Sequence, residues 1–104
     1  MAVAFELTYQ GPGATLGKYY QLLERLGVAP EGPHPARACL FHWIALTPGG
    51  QGFRVTDVWT SRDEFLDFAK YKLEPISKDL GMPAPTGPPE PPHIELANYL
   101  TAGI

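Results

Sequence analysis

The sequence predicts a single α+β domain, in which one four-stranded antiparallel sheet carries two helices on one face. Three observations lead to this fold class. A chain of 104 residues, 44% hydrophobic and 18% charged, has enough residues for one core and too few for two, so we expect one domain over 1–104. Apolar residues alternate along four segments and recur at helical spacing in two others. The segments run strand, helix, strand and then strand, helix, strand, which is the ferredoxin-like βαββαβ order.

The first half of the chain supplies a strand, a helix and a strand. Apolar and polar side chains alternate over 2–9, and the glycines that follow end this strand. Leucines and tyrosines recur at helical spacing over 14–26. Residues 28–37 contain too many prolines for a regular element, so they form a loop. The run 38–47 is apolar on both faces, and we expect it to be the most buried strand.

The second half repeats this order. The sequence PGGQ at 48–51 is typical of a hairpin loop that leads into a strand over 52–59. Ser61 and Glu64 form a capping box, which predicts the start of a helix. Pro75 lacks a backbone donor and is expected to kink or divide that helix.

The last strand is predicted over 93–100, after a proline-stiffened connection at 82–92. In this fold the strands normally lie in the order fourth, first, third, second. Because neither side of 38–47 suits water, a second subunit is the simplest cover for the sheet face without helices. The sequence therefore predicts a homodimer, with the chain itself as partner.

Composition and charge exclude several classes of function. The net charge is -3, and the eight Lys and Arg residues form no basic stripe, which argues against nucleic acid. No run is long and apolar enough for a membrane helix, and the N-terminus does not resemble a secretory signal. Cys39 is the only cysteine and cannot form an internal disulfide, so we expect a cytoplasmic protein. The three histidines lack zinc-site spacing, and neither a metal nor a cofactor is expected.

Asp57 is the unusual residue in the strand over 52–59, because it shares a face with apolar side chains. A buried acid needs a partner or a shifted pKa. If 48–51 is a four-residue loop, Thr47 faces Gly52 and His42 lies opposite Asp57, within side-chain reach. A register shifted by one residue would instead put another side chain there.

The predicted His42–Asp57 pair has two interpretations. As a catalytic pair, Asp57 would hold one ring nitrogen of His42 as a donor and leave the other free as a general base. Asn98, a polar interruption of the last strand, would then orient an oxyanion. As a structural pair, the two groups would only satisfy each other at a subunit interface or fix the strand register.

The segment 55–61 (VTDVWTS), continuing to Phe65, resembles the strand-to-helix signature of small dimeric α/β-barrel proteins of the antibiotic-biosynthesis-monooxygenase type. This resemblance implies a homodimer with a pocket between sheet and helices in each subunit. Such relatives include cofactor-free oxygenases of aromatic polyketides and haem-degrading enzymes. The haem-degrading branch uses a histidine on the second helix and an asparagine on the first strand. This chain has no histidine between 61 and 80 and no asparagine between 1 and 10, so it lacks both.

Two functions of different classes follow from these observations. The first is binding of a small apolar or aromatic molecule, with cofactor-independent proton abstraction leading to oxygenation or isomerisation. The second is a non-catalytic ligand-binding or structural homodimer that shares only the fold. We expect a histidine in a proline-rich loop, His34, to be solvated. The expected ligand contacts are aromatic side chains: Trp59, Tyr9, Tyr20, Phe65 and Phe68.

Overall fold

The computed structural model describes residues 2–29, 32–47, 52–87 and 93–98, and it confirms the predicted order of elements. The strands pair antiparallel in the order β2-β3-β1-β4, which is the predicted ferredoxin-like order. The elements are β1 (Val3–Gln10), α1 (Leu16–Arg25), β2 (Cys39–Leu46), β3 (Gly52–Trp59), α2 (Arg62–Phe68), a π-helical turn (Ala69–Leu73), α3 (Glu74–Asp79) and β4 (His93–Glu95).

Side-chain caps fix where the first two helices begin. The Thr15 hydroxyl accepts a hydrogen bond from the backbone N–H of Lys18 over 3.2 Å, so α1 begins two residues later than the apolar pattern predicts. The Ser61 hydroxyl accepts from the backbone N–H of Glu64 over 3.2 Å, as the predicted cap requires. No helix within the described ranges is long and apolar enough to cross a membrane.

Pro75 divides the second helical segment, as predicted. Its ring would clash with the carbonyl four residues earlier in a regular α-helix, at Tyr71. The π-helical turn Ala69–Leu73 lies at that point, and α3 begins directly after it with Pro75 in its first turn. A wider turn gives the ring room without ending the helix, so α2 and α3 stay on the same face of the sheet.

The core lies between the sheet and the helices. Alternate residues of β1 and β3 point to this side, and the largest fully buried side chains there are aromatic: Trp59, Phe5, Phe53 and Phe65. The rings of Phe5 and Phe65 stack with centroids 4.0 Å apart. This contact fastens α2 to the middle of the sheet.

The prediction that the strand in 38–47 is the most buried was wrong. β2 is an edge strand. Phe41 and Trp43 on its helix-free side are exposed, and Leu46 near its end on the helix-facing side is exposed as well. An apolar run shows that a strand needs cover, and no element among the described residues covers the helix-free side of β2.

The last strand is shorter than predicted. β4 pairs with β1 only over Val3–Phe5, and the backbone N–H of Leu96 donates to the carbonyl of Ala2 over 2.9 Å. Since β1 begins at Val3, β4 ends at Glu95, and Ala97 and Asn98 lie outside the strand. The end of the predicted strand, 99–100, lies outside the described residues.

Candidate functional site

The register of β2 and β3 places His42 directly opposite Asp57, as predicted. The predicted loop at 48–51 lies outside the described residues, but the backbone N–H of Thr47 donates to the carbonyl of Gly52 over 3.1 Å. The ladder between these two strands is irregular only between residues 39 and 41, so the pairing from His42 to the Thr47–Gly52 end is regular. The two side chains therefore share the helix-facing side of the sheet.

Four side chains form one hydrogen-bond chain through this pair. His42 Nδ1 lies 2.5 Å from Asp57 Oδ1, and Trp59 Nε1–H donates to Asp57 Oδ2 over 3.1 Å. The Tyr19 hydroxyl lies 2.6 Å from His42 Nε2. Because a carboxylate only accepts, Nδ1 carries a ring proton, and in the neutral form of the ring Nε2 accepts from the hydroxyl. We call Tyr19, His42 and Asp57 the proton relay.

The buried acid thus has partners for both oxygens. Asp57 is 4% exposed, and burial of a carboxylate is costly unless it is paired and hydrogen-bonded. His42 and Trp59 provide the two donors, each to a different oxygen. Hydrogen bonds to a charged group are the stronger kind, so the carboxylate and the imidazole hold each other in one orientation.

Tyr19 changes the expected role of His42. The sequence predicts a free second ring nitrogen, but the Tyr19 hydroxyl occupies it. The pKa of Tyr19 is raised to about 12, chiefly by burial and to a smaller extent by the Asp57 carboxylate and Tyr20. The hydroxyl therefore stays protonated at neutral pH and is able to donate to an unprotonated Nε2. A tyrosine in the buried stripe of α1 is the sequence signal for this contact, because a buried phenol usually has a partner.

A cavity of about 680 Å³ lies between the helix-facing side of the sheet and the helices, and the proton relay forms part of its wall. Most of the wall is apolar. The lining includes residues of β1, α1, the segment 32–37, β2, β3, the second helical segment and the stretch that follows it: Leu7, Tyr9, Tyr19, Leu22, His34, Cys39, His42, Phe53, Val55, Asp57, Phe68, Leu73 and Met82.

The aromatic residues predicted to contact a ligand fall into two groups. Tyr9 and Phe68 line the cavity together with the relay. Trp59 and Phe65 belong to the fully buried core and are not in the cavity wall, although Trp59 orients Asp57. Tyr20 is exposed and lies outside the cavity, since it follows Tyr19 on α1 and a helix turns neighbouring side chains apart.

Asn98 is not brought to the relay. It is exposed and follows β4, at one edge of the sheet, whereas His42 is on β2 at the opposite edge. It is also absent from the cavity wall. Within this chain Asn98 is therefore not placed to hold the oxyanion that the sequence assigns to it, because β4 and β2 lie at opposite edges of the sheet.

His34 belongs to the cavity wall, so its ring is only partly exposed to solvent. The ring is half-buried, with centroids 5.6 Å from His42, 5.5 Å from Trp59 and 5.2 Å from Phe68. Its Nδ1 accepts from the backbone N–H of Ala36 over 3.0 Å. Burial, partly offset by Asp57, lowers the pKa of His34. The flanking prolines are the only sequence signal, since they stiffen this loop.

Cys39 also borders the cavity, where burial and then the Asp57 carboxylate raise its pKa to about 12. The thiol therefore stays protonated, in keeping with its interpretation as a small apolar side chain rather than a nucleophile. Among the residues that the structure describes, no group of three or more His, Cys, Asp or Glu side chains is placed to hold a metal ion.

Comparison with known proteins shows similarity in fold. Rv0793 from Mycobacterium tuberculosis superposes with a TM-score of 0.56 at 13% identity, over 99% of this chain and 100% of that one. A proposed antibiotic biosynthesis monooxygenase from Deinococcus radiodurans gives a TM-score of 0.57 at 10% identity, over 97% of each chain. This chain has their fold. No protein-family model matches it, and no curated protein matches it in sequence. At such low identity the similarity concerns the fold alone.

Proposed function

We propose that this protein binds a small, largely apolar aromatic molecule in the cavity and removes a proton from it through the proton relay. The observation that carries the proposal is the hydrogen-bond chain from Asp57 through His42 to Tyr19, which reaches the wall of a cavity of about 680 Å³. Small-molecule pockets are typically of this size, largely apolar, with a few converging polar groups.

The cavity wall favours a flat aromatic ligand. Tyr9 stacks on Phe53 with centroids 4.9 Å apart, and Phe68 contributes another ring. Burial, then the Asp57 carboxylate, raises the pKa of Tyr9 to about 12, so it presents a neutral hydroxyl. No charge is therefore added on that side of the cavity, in agreement with an apolar ligand.

Proton removal through the relay consists of two coupled transfers. The Tyr19 oxygen takes the proton of the substrate while its own proton passes to His42 Nε2, 2.6 Å away. The imidazolium that forms keeps its Nδ1–H on the Asp57 carboxylate, which stabilises the new charge. Trp59 holds the second carboxylate oxygen and so keeps the acceptor in place. Every group in this transfer is a side chain of the chain, and the proposal includes neither cofactor nor metal.

The substrate anion then has two outcomes. Return of the proton to another carbon is isomerisation. Reaction with dioxygen converts an activated CH₂ into a carbonyl, with the second oxygen atom released as water. The fold similarity to a proposed monooxygenase makes the dioxygen reaction the one to test first.

The test uses anthrone, whose CH₂ is acidic, and follows its conversion to anthraquinone in air after subtraction of the rate without protein. The variant His42→Asn keeps a donor for Asp57 and removes the proton acceptor. The control His93→Asn makes the same change on β4, where the ring is not in the cavity wall. We expect His42→Asn to lose a factor on the order of 10² to 10⁴ in rate, and the control to lose none. Equal rates for His42→Asn and the wild type would contradict the proposal.

A non-catalytic ligand-binding function is the second candidate. It is favoured by one observation, that both ring nitrogens of His42 already have partners within the chain. In that case the wild-type protein would bind alizarin, a planar hydroxyanthraquinone, with quenching of tryptophan fluorescence, yet anthrone would oxidise no faster than in buffer. His42→Asn would then lower stability alone.

We also propose that two copies associate through the helix-free face of the sheet. An apolar row crosses all four strands there, because Phe41, Val58, Ala4 and Ile94 are successive partners in the register. Phe41 and Ile94 at its ends are 57% and 62% exposed. A contiguous apolar patch of this kind marks an interaction surface, and a two-fold partner would cover it with its own copy of the row.

A further inference from the structure

His34 lies beside the proton relay but has no part in it. Its ring packs against His42, Trp59 and Phe68, and it lines the same cavity. The segment 32–37 carries it over the sheet, and the hydrogen bond from Ala36 fixes one side of the ring. A polar ring at this place needs an explanation, since an apolar side chain would pack there without loss of hydration.

The contact with Ala36 determines where the ring proton lies. Nδ1 accepts from a backbone N–H, so a neutral ring carries its proton on Nε2. No acceptor for that Nε2–H is found among the described residues. Burial lowers the pKa of His34, and a proton on neighbouring His42 lowers it further, while Asp57 acts in the opposite direction. At neutral pH His34 is therefore a neutral donor.

We propose that His34 Nε2–H donates a hydrogen bond to the substrate oxygen on which negative charge develops as the relay takes the proton. This inference rests on the proposed function and assigns the substrate class: molecules whose acidic C–H is conjugated with a carbonyl or phenolic oxygen. The role that the sequence gives to Asn98 thus belongs to His34.

The chemistry requires a donor of this kind. Removal of a proton from such a carbon moves the charge onto the oxygen, and a donor fixed there before reaction stabilises the transition state. A neutral imidazole donates without giving up its proton. The ring centroids of His34 and His42 are 5.6 Å apart, so one small functional group can contact both the donor and the relay. Once His42 is charged, its field opposes protonation of His34, which therefore stays neutral.

The ring proton can be located without any ligand. In ¹⁵N-labelled protein at neutral pH, long-range proton–nitrogen correlation distinguishes the two ring nitrogens of each histidine. We expect His34 to be neutral, with the proton on Nε2 and an unprotonated Nδ1. A ring protonated on Nδ1, or a charged ring, would overturn the proposal whatever the reaction proves to be.

Two substitutions separate the donor from the structural contact. The amide nitrogen of His34→Gln reaches the position of Nε2, whereas the amide of His34→Asn extends only to the position of Nδ1 and can still meet Ala36. We expect His34→Gln to oxidise anthrone within about threefold of the wild-type rate, and His34→Asn to lose a factor on the order of 10² to 10³. His93→Gln, outside the cavity wall, is the control.

Bound alizarin gives a readout that a purely structural role would not change. A donor on its oxygen favours the ionised phenol, so the pKa of the bound dye, read from its colour, should be higher in His34→Asn than in the wild type and His34→Gln. An unchanged dye pKa in His34→Asn overturns the proposal.

The outcomes keep this inference distinct from the proposed function. If His42→Asn is inactive while His34→Asn is as fast as the wild type, the relay stands and the role of His34 is overturned. If the wild type binds alizarin but does not oxidise anthrone, the oxidation fails, and the ring proton and dye pKa still decide His34. A wild-type protein that binds neither compound overturns both.

Discussion

The substitution Asp57→Asn separates orientation of His42 from stability. The amide keeps the size of the carboxylate but has only one accepting oxygen, whereas Asp57 accepts from both His42 and Trp59. If the oxygen faces Trp59, the amide N–H faces His42, and Nδ1 must become an acceptor. The ring proton then moves to Nε2, which donates to Tyr19 instead of accepting from it. In this tautomer the relay cannot take a proton.

The magnitudes follow from the same contacts. In the reversed tautomer all groups keep partners, and the loss of charge-assisted bonds lowers the free energy of unfolding by about 1–3 kcal/mol. Asp57→Ala leaves both donors unpaired in a buried site, so it should cost more, about 3–6 kcal/mol for two hydrogen bonds to a charged group. That is a large part of a typical total stability of about 5–15 kcal/mol. Anthrone oxidation by Asp57→Asn should fall by a factor on the order of 10² to 10⁴.

Two assays check this prediction. Urea unfolding followed by tryptophan fluorescence gives the free energy, because Trp59 lies beside Asp57. Anthrone oxidation gives the rate on protein that is still folded. Asp67→Asn, an exposed acid on α2, is the matched control for the change of charge. The reasoning fails if Asp57→Asn is as fast as the wild type, or if its rate falls only in proportion to the fraction unfolded.

Three further predictions concern Tyr19, His34 and the helix-free face. Tyr19→Phe should slow anthrone oxidation at least about tenfold, because the Tyr19 oxygen takes the substrate proton; an unchanged or faster rate would show that His42 Nε2 acts directly. Burial lowers the pKa of His34 below its ordinary 6.5, so the unfolded chain binds more protons below about pH 6.5. On acidification from about pH 7.5 to about pH 5, urea unfolding should therefore show a larger stability loss for the wild type than for His34→Gln; equal losses would contradict this. His42 and Asp57, the titratable groups that face position 34, are present in both proteins, so their own contributions to the pH dependence cancel in the comparison. In sedimentation the wild type should be a dimer of 11.4 kDa chains and Trp43→Glu a monomer; a wild-type monomer at micromolar concentration would refute the dimer.

Short-range regularities made part of the site predictable. Strand side chains alternate with a period of two, so one hairpin register was enough to place His42 opposite Asp57. Capping at Ser61 and the division at Pro75 are equally local, since each depends on backbone groups within four residues. These predictions needed no knowledge of how the helices pack.

Contacts between layers were not predictable in the same way. Tyr19 and His34 reach His42 from α1 and from the segment 32–37, and nothing in the spacing of the sequence sets the position of either relative to the sheet. The burial of β2 depends on what covers an edge strand, and the length of β4 on where β1 begins. Each of these outcomes depends on how the elements pack together and not on the sequence of one segment.

The ladder itself argues against a purely structural role for the buried pair. Along the same face of β2 and β3, the next partners of His42–Asp57 are apolar, Ile44 with Val55 and Leu46 with Phe53. Such pairs fix the register without burying a charge, and an apolar pair at the third position would do the same, often with a gain in stability. If the pair served only to fix the register, its hydrogen bonds would also end at the imidazole ring. Here the chain of hydrogen bonds continues to Tyr19 on the cavity wall. The carboxylate is therefore better explained by what it does for His42 at the cavity than by what it does for the sheet.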